Sequence, residues 1–284
     1  MVLRTSAAGL PSGAGTRGRG VGCDRGSDSV NAIILSAGRG SRLLPLTEKR
    51  PKCLLPVAGR SILDWQVQRL AEAGIDRCTV VVGFGADLVK SALATMPVRP
   101  ERLHTLYNPL YAVADNLVSC WVARDEMDSD FVLLNGDTLF EPELMTRLLS
   151  SRGYPVTIAT GSKARYDSDD MKIRRQGRRV LEIGKGLSSA AANGESVGVM
   201  LFRGDGPRLF RQALEQTMQR DDASSLWYPS AVGGLARIGV VGTASIDGIG
   251  WAEIDSPEDL EAATRLMAGF DSTSAPADLA VNAG

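Results

Sequence analysis

Two aspartates and a nearby group of cations have the types and placement needed for charge-driven chemistry. Asp137 closes the run Leu133-Leu134-Asn135-Gly136-Asp137, and Asp255 closes Trp251-Ala252-Glu253-Ile254-Asp255. Each therefore follows an apolar, strand-like segment. Far upstream, Ser36-Ala37-Gly38-Arg39-Gly40-Ser41-Arg42 follows the apolar stretch Ala32 to Leu35, and Lys49, Arg50 and Lys52 come next. Small residues let successive backbone N–H groups approach an anion, and neighbouring cations add charge. The loop reads as a polyphosphate cradle; the rival reading is a tight strand-to-helix turn with solvated arginines. Magnesium takes one or two carboxylates together with phosphate oxygens and keeps several waters, so Asp137 and Asp255 suit it beside a polyphosphate. The rival for each aspartate is a capping role, and Asp255 does precede the helix start Ser256-Pro257-Glu258-Asp259.

The chain holds one histidine, His104, which excludes mechanisms that need two histidines or a histidine triad in one chain. A polyphosphate site without that histidine points to phosphoryl or nucleotidyl transfer, where positioning and charge neutralisation carry most of the catalysis. Arg42 and Lys52 suit the neutralising role, whereas Lys49 and Arg50 read as a solvated face. With 32 basic and 33 acidic residues the net charge is −1, which offers nucleic acid no general attraction. Cys23, Cys53, Cys78 and Cys120 form no C-x-x-C pair, which fits neither a zinc site nor a disulfide scaffold and suits a reducing cytoplasm.

These residues need a scaffold that brings strand ends together. Apolar strands are expected at Ala32 to Leu35, Cys78 to Val82, Leu103 to Tyr107 and Phe131 to Leu134. Between them, helices are expected from Ser61 to Gly74, from Asp87 to Met96 and from Ala114 to Met127. Strand and helix in alternation predict a parallel sheet with crossovers, whose ligands bind at the carboxyl ends of the strands. After Ser151 the pattern turns to strands at Val156 to Thr160, Met171 to Arg175, Val180 to Ile183 and Ser196 to Phe202. Helices over Gly206 to Arg220 and Ser224 to Leu235 follow, then strands at Ile238 to Val241 and Trp251 to Ile254. The expected fold is α/β: a Rossmann-like, mostly parallel mixed sheet flanked by helices, with an antiparallel extension covering one side of the site. Residues 31–268 form the expected domain, between a disordered extension over 1–30 and a disordered tail over 269–284. No segment reaches the roughly 18 uninterrupted apolar residues of a membrane span.

The stretch LSAGRGSRLLPLTEKRPKCLLPVAGRSILDWQVQRL resembles the opening of the sugar-phosphate nucleotidyltransferase superfamily. The later pieces DNLVSCWVARDEM, FVLLNGDTLF, DDMKI, RVLEIGKGL, GESVGVMLF and WAEIDSPEDL resemble its bacterial phosphocholine cytidylyltransferase branch, in consistent order over residues 31 to 267. The resemblance implies that Ala37, Gly38, Gly40 and Arg42 hold nucleotide phosphates and that Lys52 contacts them. It implies that Asp137 and Asp255 bind magnesium, that Asn116 and Ser119 lie near the nucleotide, and that Lys185 and Glu195 face the acceptor. The implied reaction joins a nucleoside monophosphate, CMP from CTP in this branch, to a phosphorylated small alcohol such as phosphocholine or to a phosphonate, with release of pyrophosphate.

A quaternary ammonium acceptor calls for an aromatic cage, for which Trp227, Tyr228 and Trp251 are the candidates; at strand and helix spacing each is equally a core residue. A sugar-1-phosphate nucleotidyltransferase using UTP, GTP or dTTP is the neighbouring alternative, and a catalytically silent regulatory protein on the same fold is the alternative of another class. The expected partners are small molecules, without nucleic acid or a membrane span, and a homo-oligomer is left open.

Overall fold

The computed structural model describes residues 30–271, Val98 excepted. The extension expected over residues 1–30 and the tail expected over 269–284 therefore lie outside the described residues, apart from Val30 and the end of the last helix.

The first half of the chain is built from strands β1 (Asn31–Ser36), β4 (Arg77–Val82), β5 (Arg102–Tyr107) and β6 (Phe131–Asn135). The hairpin β2 (Pro56–Val57) and β3 (Arg60–Ser61) precedes helix α1 (Ile62–Glu72). Helix α2 (Ala86–Thr95) joins β4 to β5, and α3 (Asn116–Val122) lies between β5 and β6. Strand β7 (Thr138–Phe140) and α4 (Pro142–Ser150) follow. The second half supplies β8 (Val156–Gly161), β9 (Lys172–Gln176), β10 (Arg179–Ile183) and β11 (Gly194–Phe202). After these come α5 (Gly206–Met218), α6 (Pro229–Arg237), β12 (Val241–Ser245), β13 (Trp251–Glu253) and α7 (Pro257–Asp271).

Nine strands form one mixed sheet in the order β5-β4-β1-β6-β11-β8-β12-β10-β9. The β5-β4-β1-β6 half is parallel, whereas β11 runs antiparallel to both β6 and β8. From β1 the chain first winds outward through β4 to β5, then crosses back to place β6 on the other side of β1. The carboxyl ends of β1 and β6 therefore flank a topological switch point, the crevice where open α/β sheets bind ligands.

Strand alternation assigns each face its helices. Ala32 and Ile34 of β1 pack with Leu63, Val67, Leu93 and Leu144 from α1, α2 and α4. Ile33 and Leu35 point the other way, into a core with Leu117, Phe210 and Val232 from α3, α5 and α6. Each face removes its apolar side chains from water, worth about 1.5–3 kcal/mol for a large aliphatic residue. A third cluster holds α7 against the hairpin through Val57, Trp65, Ile254 and Met267.

Several boundaries follow local chemistry. Ser61 Oγ accepts from Asp64 N at 3.1 Å to cap α1, and Gly74 at φ 75° ends it. The helix expected over Ala114 to Met127 is a shorter α3 followed by a 3-10 turn at Arg124–Glu126. The helix expected from Ser224 splits: a 3-10 turn at Ala223–Ser225 precedes α6, which starts at Pro229 because proline suits a first helical turn and lacks the N–H an interior position needs. The strand expected at Ile238 to Val241 begins only at Val241, since Gly239 at φ 83° makes a turn there. Helix α7 runs to Asp271, beyond the expected end at residue 268.

Candidate active site

A cleft of about 380 Å³ opens over the carboxyl ends of β1 and β6. Its floor is the glycine-rich loop after β1. Gly40 takes φ 75°, and a Cβ there would stand 2.8 Å from Lys52 Cβ, so only glycine lets the loop lie against that lysine. Thr47 Oγ1 donates to Gly40 O at 2.8 Å and closes the loop on itself. Ala37, Gly38, Gly40 and Arg42 all line the cleft, as the sequence leads one to expect.

Lys52 is the centre of the charge arrangement. Its Nζ donates to Asp137 Oδ2 at 2.7 Å and to Asp255 Oδ1 at 2.8 Å, joining residues from three separate parts of the chain. Burial works against the ammonium charge, but the two carboxylates outweigh it and hold the Lys52 pKa above its usual value. The converse holds for Asp255: burial opposes its charge, yet Lys52, then Arg42, keep its carboxyl below the usual range. Arg42 Nη2 lies 3.1 Å from Asp255 Oδ2, and its Nη1 lies 3.6 Å from Asp169 Oδ2.

The capping alternative for Asp255 is answered by its neighbours. Asp259 Oδ2 accepts from Ser256 N at 2.8 Å and from Asp255 N at 3.0 Å, while Ser256 Oγ accepts from Asp259 N at 3.2 Å. The start of α7 is thus capped without the Asp255 carboxylate, which turns to Lys52 and Arg42.

Asp137 sits on a turn clamped from several sides. Gly136 N donates to Leu35 O at 3.0 Å, and Ile254 N donates to Asp137 O at 3.1 Å. Asp137 Oδ1 is buried without a hydrogen-bond partner. An oxygen of that kind, beside a second carboxylate, fits a hard divalent cation. Among the described residues no group of three histidine, cysteine or acidic side chains forms a ready metal cage; the two carboxylates would need phosphate oxygens and water to complete one. Glu253, which sequence reasoning missed, opens onto the same cleft. The surrounding protein first, and then Asp137 and Asp255, push its pKa up to about 8. Its signal was available: Glu253 stands two residues before Asp255 in the sequence.

Asn116 and Ser119 line the cleft, but both already hold the scaffold. Asn116 Oδ1 accepts from Tyr228 N at 3.0 Å, and Ser119 Oγ accepts from Asn108 Nδ2 at 2.9 Å. Lys185 also lines the cleft, with its Nζ 3.3 Å from the centroid of the Trp227 ring. Burial sets its pKa below the usual value, the nearby acidic groups working against that shift.

The expected acceptor residues do not all meet. Glu195 leaves the main cleft: adjacent strand residues face opposite ways, so Ser196 lines the cleft while Glu195 turns to a second hollow. There Glu195 Oε2 pairs with Lys163 Nζ at 3.0 Å, and Lys163 also pairs with Asp170 at 2.8 Å. Trp251 lines that second hollow as well. Tyr228 is 1% exposed, and its hydroxyl donates to Asn135 Oδ1 at 3.2 Å. Trp227 and Tyr228 both line the main cleft, whereas Trp251 lines the second hollow, so the three rings do not share one site. His104 lies away from the cleft, with Nε2 3.1 Å from Thr79 Oγ1 and 3.4 Å from Glu126 Oε1. No helix among the described residues is long and apolar enough to cross a membrane.

Comparison with known proteins agrees with this architecture. Residues 32–168 match the MobA-like NTP transferase domain. The CMP-5'-(3-aminopropyl)phosphonate synthase of Streptomyces rubellomurinus is 33% identical over 245 residues, which are 81% of this chain and 37% of that protein. The chain thus spans little more than a third of that relative's length. The CTP:phosphoglutamine cytidylyltransferase of Campylobacter jejuni is 25% identical over 82% of this chain and 98% of its own. Among solved structures, the CTP:phosphocholine cytidylyltransferase of Streptococcus pneumoniae superposes with a TM-score of 0.68 at 22% identity, covering 84% of this chain and 99% of that one, a likeness of fold.

Proposed function

From a chain that carries a MobA-like NTP transferase domain on the nucleotidyltransferase fold, we propose a cytidylyltransferase that joins CMP from CTP to a small phosphonate or phosphate acceptor. A phosphonate or phosphate oxygen of the acceptor attacks the α-phosphorus of CTP. The bond from that phosphorus to the bridging oxygen breaks, and pyrophosphate leaves with the electron pair. The observation that carries the reading is the convergence of Lys52 on both Asp137 and Asp255 beneath the glycine-rich loop.

In this reading the loop from Ala37 to Gly40 approaches the triphosphate through its backbone, and Arg42 and Lys52 offset its charge. Asp137 and Asp255 hold a divalent cation such as magnesium, which supplies charge neutralisation and alignment of the triphosphate. The unpartnered Asp137 Oδ1 supports that assignment. Lys185, seated on Trp227 and without an ion pair among the described residues, is suited to hold the acceptor's anionic group. In this reading the nucleotide end of the cleft lies near α3, where Asn116 and Ser119 line it.

The acceptor favoured is an aminoalkyl phosphonate or phosphate. Of the three rings expected to face a quaternary ammonium, Trp251 lies outside the cleft and Trp227 carries Lys185, which favours an aminoalkyl acceptor over phosphocholine. The Streptomyces relative is, by its name, a synthase of CMP-5'-(3-aminopropyl)phosphonate. The test is a pyrophosphate-release panel in which CTP, UTP, GTP and dTTP are each paired with 2-aminoethylphosphonate, 3-aminopropylphosphonate, phosphocholine and glucose 1-phosphate. Turnover with CTP and an aminoalkyl phosphonate is expected; preference for UTP or dTTP with the sugar phosphate would replace the reading by its sugar-nucleotide alternative.

A further inference from the structure

One buried polar side chain stands directly beneath the turn that presents Asp137. Gln66 of α1 is 1% exposed, and its Nε2 donates to Asn135 O at 2.7 Å and to Thr138 O at 2.8 Å. Those two carbonyls bracket Gly136 and Asp137, so a single amide group grips the turn on both sides of the carboxylate. Its Oε1 is buried without a partner. A buried amide leaves an acceptor unmatched only at a cost, and only an N–H₂ group, with two donors, satisfies two carbonyls at once. Other elements also hold the turn: Leu35 O accepts from Gly136 N, Ile254 N donates to Asp137 O, and Asn135 and Thr138 pair in register with Leu35 and Glu253. Gln66 is the side chain that ties the carbonyls of Asn135 and Thr138 to each other through one group.

We propose that Gln66 is a positioning residue that fixes the Asn135–Thr138 turn and thereby aims the Asp137 carboxylate into the cleft. The proposal rests on the reading of Asp137 as part of the transfer site. Gln66 does not touch substrate; it acts through the backbone. A side chain of the same length that cannot donate removes both of these bonds and loosens the link across the turn. The Asp137 carboxylate then loses its fixed relation to Asp255, while the glycine-rich loop, which Gln66 does not contact, keeps its hold on the nucleotide.

Gln66→Met and Gln66→Glu separate this role from packing. Second-layer partners of a metal-site ligand are worth about 10–100-fold in metal affinity or activity. For Gln66→Met, kcat is expected to fall by about that factor, while the KM for CTP stays within about threefold. Mn²⁺ binding in the presence of a non-hydrolysable CTP analogue, read by electron paramagnetic resonance, should weaken by about tenfold or more. Gln66→Glu places an ionised acceptor against two carbonyls at high pH, whereas its protonated form donates to one of them. Its activity relative to wild type should therefore recover between pH 8.5 and 5.5, with the wild type, which carries the same neighbouring acidic groups Asp137, Glu253 and Asp255, as the reference at each pH.

Wild-type Mn²⁺ binding and kcat in Gln66→Met, with a flat Gln66→Glu ratio, would overturn the proposal. If Gln66→Met does not fold, the pH dependence of the Gln66→Glu ratio decides alone: recovery supports positioning and a flat ratio refutes it. Asp137→Asn in the same assay keeps the two levels apart. Full activity in Asp137→Asn overturns the transfer-site reading itself, whereas an inactive Asp137→Asn beside a wild-type Gln66→Met overturns only the role of Gln66.

Discussion

Replacing Lys52 with methionine removes one cation from between two carboxylates and leaves the apolar stem in place. Lys52 donates to Asp137 at 2.7 Å and to Asp255 at 2.8 Å, with side-chain exposures of 13% for Lys52, 23% for Asp137 and 29% for Asp255. Removing one partner of a fully buried pair costs about 3–5 kcal/mol, while an exposed pair is worth about 0–1 kcal/mol. Partial exposure places this site between those limits, at about 2 kcal/mol near neutral pH, or roughly 4–8 °C in Tm for a domain of this size. The penalty depends on pH in a definite direction. Lys52 holds the Asp255 pKa below its unfolded value, so the stabilisation from that carboxylate is present above about pH 4 and lost as pH falls through its depressed folded value. Lys52 also lowers the raised pKa of Glu253, so its removal makes an ionised Glu253 costlier still at high pH. The Tm difference between Lys52→Met and wild type, followed by differential scanning fluorimetry in chelator, should therefore grow from pH 4 to pH 9. A difference that is constant or that shrinks with rising pH would refute the view that Lys52 neutralises this carboxylate cluster.

Three further outcomes follow from the same geometry. Because Glu253 has a folded pKa of about 8 against a lower unfolded one, its contribution to stability is greatest below about pH 4.5 and is lost as pH rises to about 8; Glu253→Gln should flatten that part of the metal-free wild-type Tm profile. A Cβ on Gly136 would stand 2.5 Å from Leu35 O, so Gly136→Ala should destabilise the protein by about 1–3 kcal/mol in urea melts and displace the Asp137 turn, with most activity lost. Trp227→Ala removes the ring 3.3 Å beneath Lys185 Nζ and should raise the acceptor KM about five- to tenfold with little change in the KM for CTP, whereas Trp227→Phe, which keeps an aromatic face, should restore most of it.

Much of the site was legible in the sequence because its parts are local. A glycine-rich loop after an apolar strand, and an aspartate at the end of each of two others, declare their placement through strand geometry alone. The parallel order β4-β1-β6 then brings the loop and Asp137 together without further information. What the sequence hid depends on facing and depth. Glu195 stands one residue from Ser196, and a shift of one position on a strand exchanges the two faces of the sheet. The three-ring cage is divided for a related reason: Trp227 and Tyr228 line the main cleft, while Trp251 lines the second hollow. Gln66 was hidden by its type. A glutamine within Trp65-Gln66-Val67-Gln68 looks like the wet side of a helix, and only the approach of the Asn135–Thr138 turn makes it interior.

The central claim is that this cleft transfers CMP to a small phosphonate or phosphate through a site assembled by Lys52, Asp137 and Asp255. The most direct measurement is ³¹P NMR of one reaction containing the protein, magnesium, CTP and 2-aminoethylphosphonate, with Asp137→Asn in parallel. A phosphonate–phosphate anhydride resonance growing in step with pyrophosphate, and absent with Asp137→Asn, is the predicted result. Unchanged CTP and phosphonate, or equal product from Asp137→Asn, would contradict it.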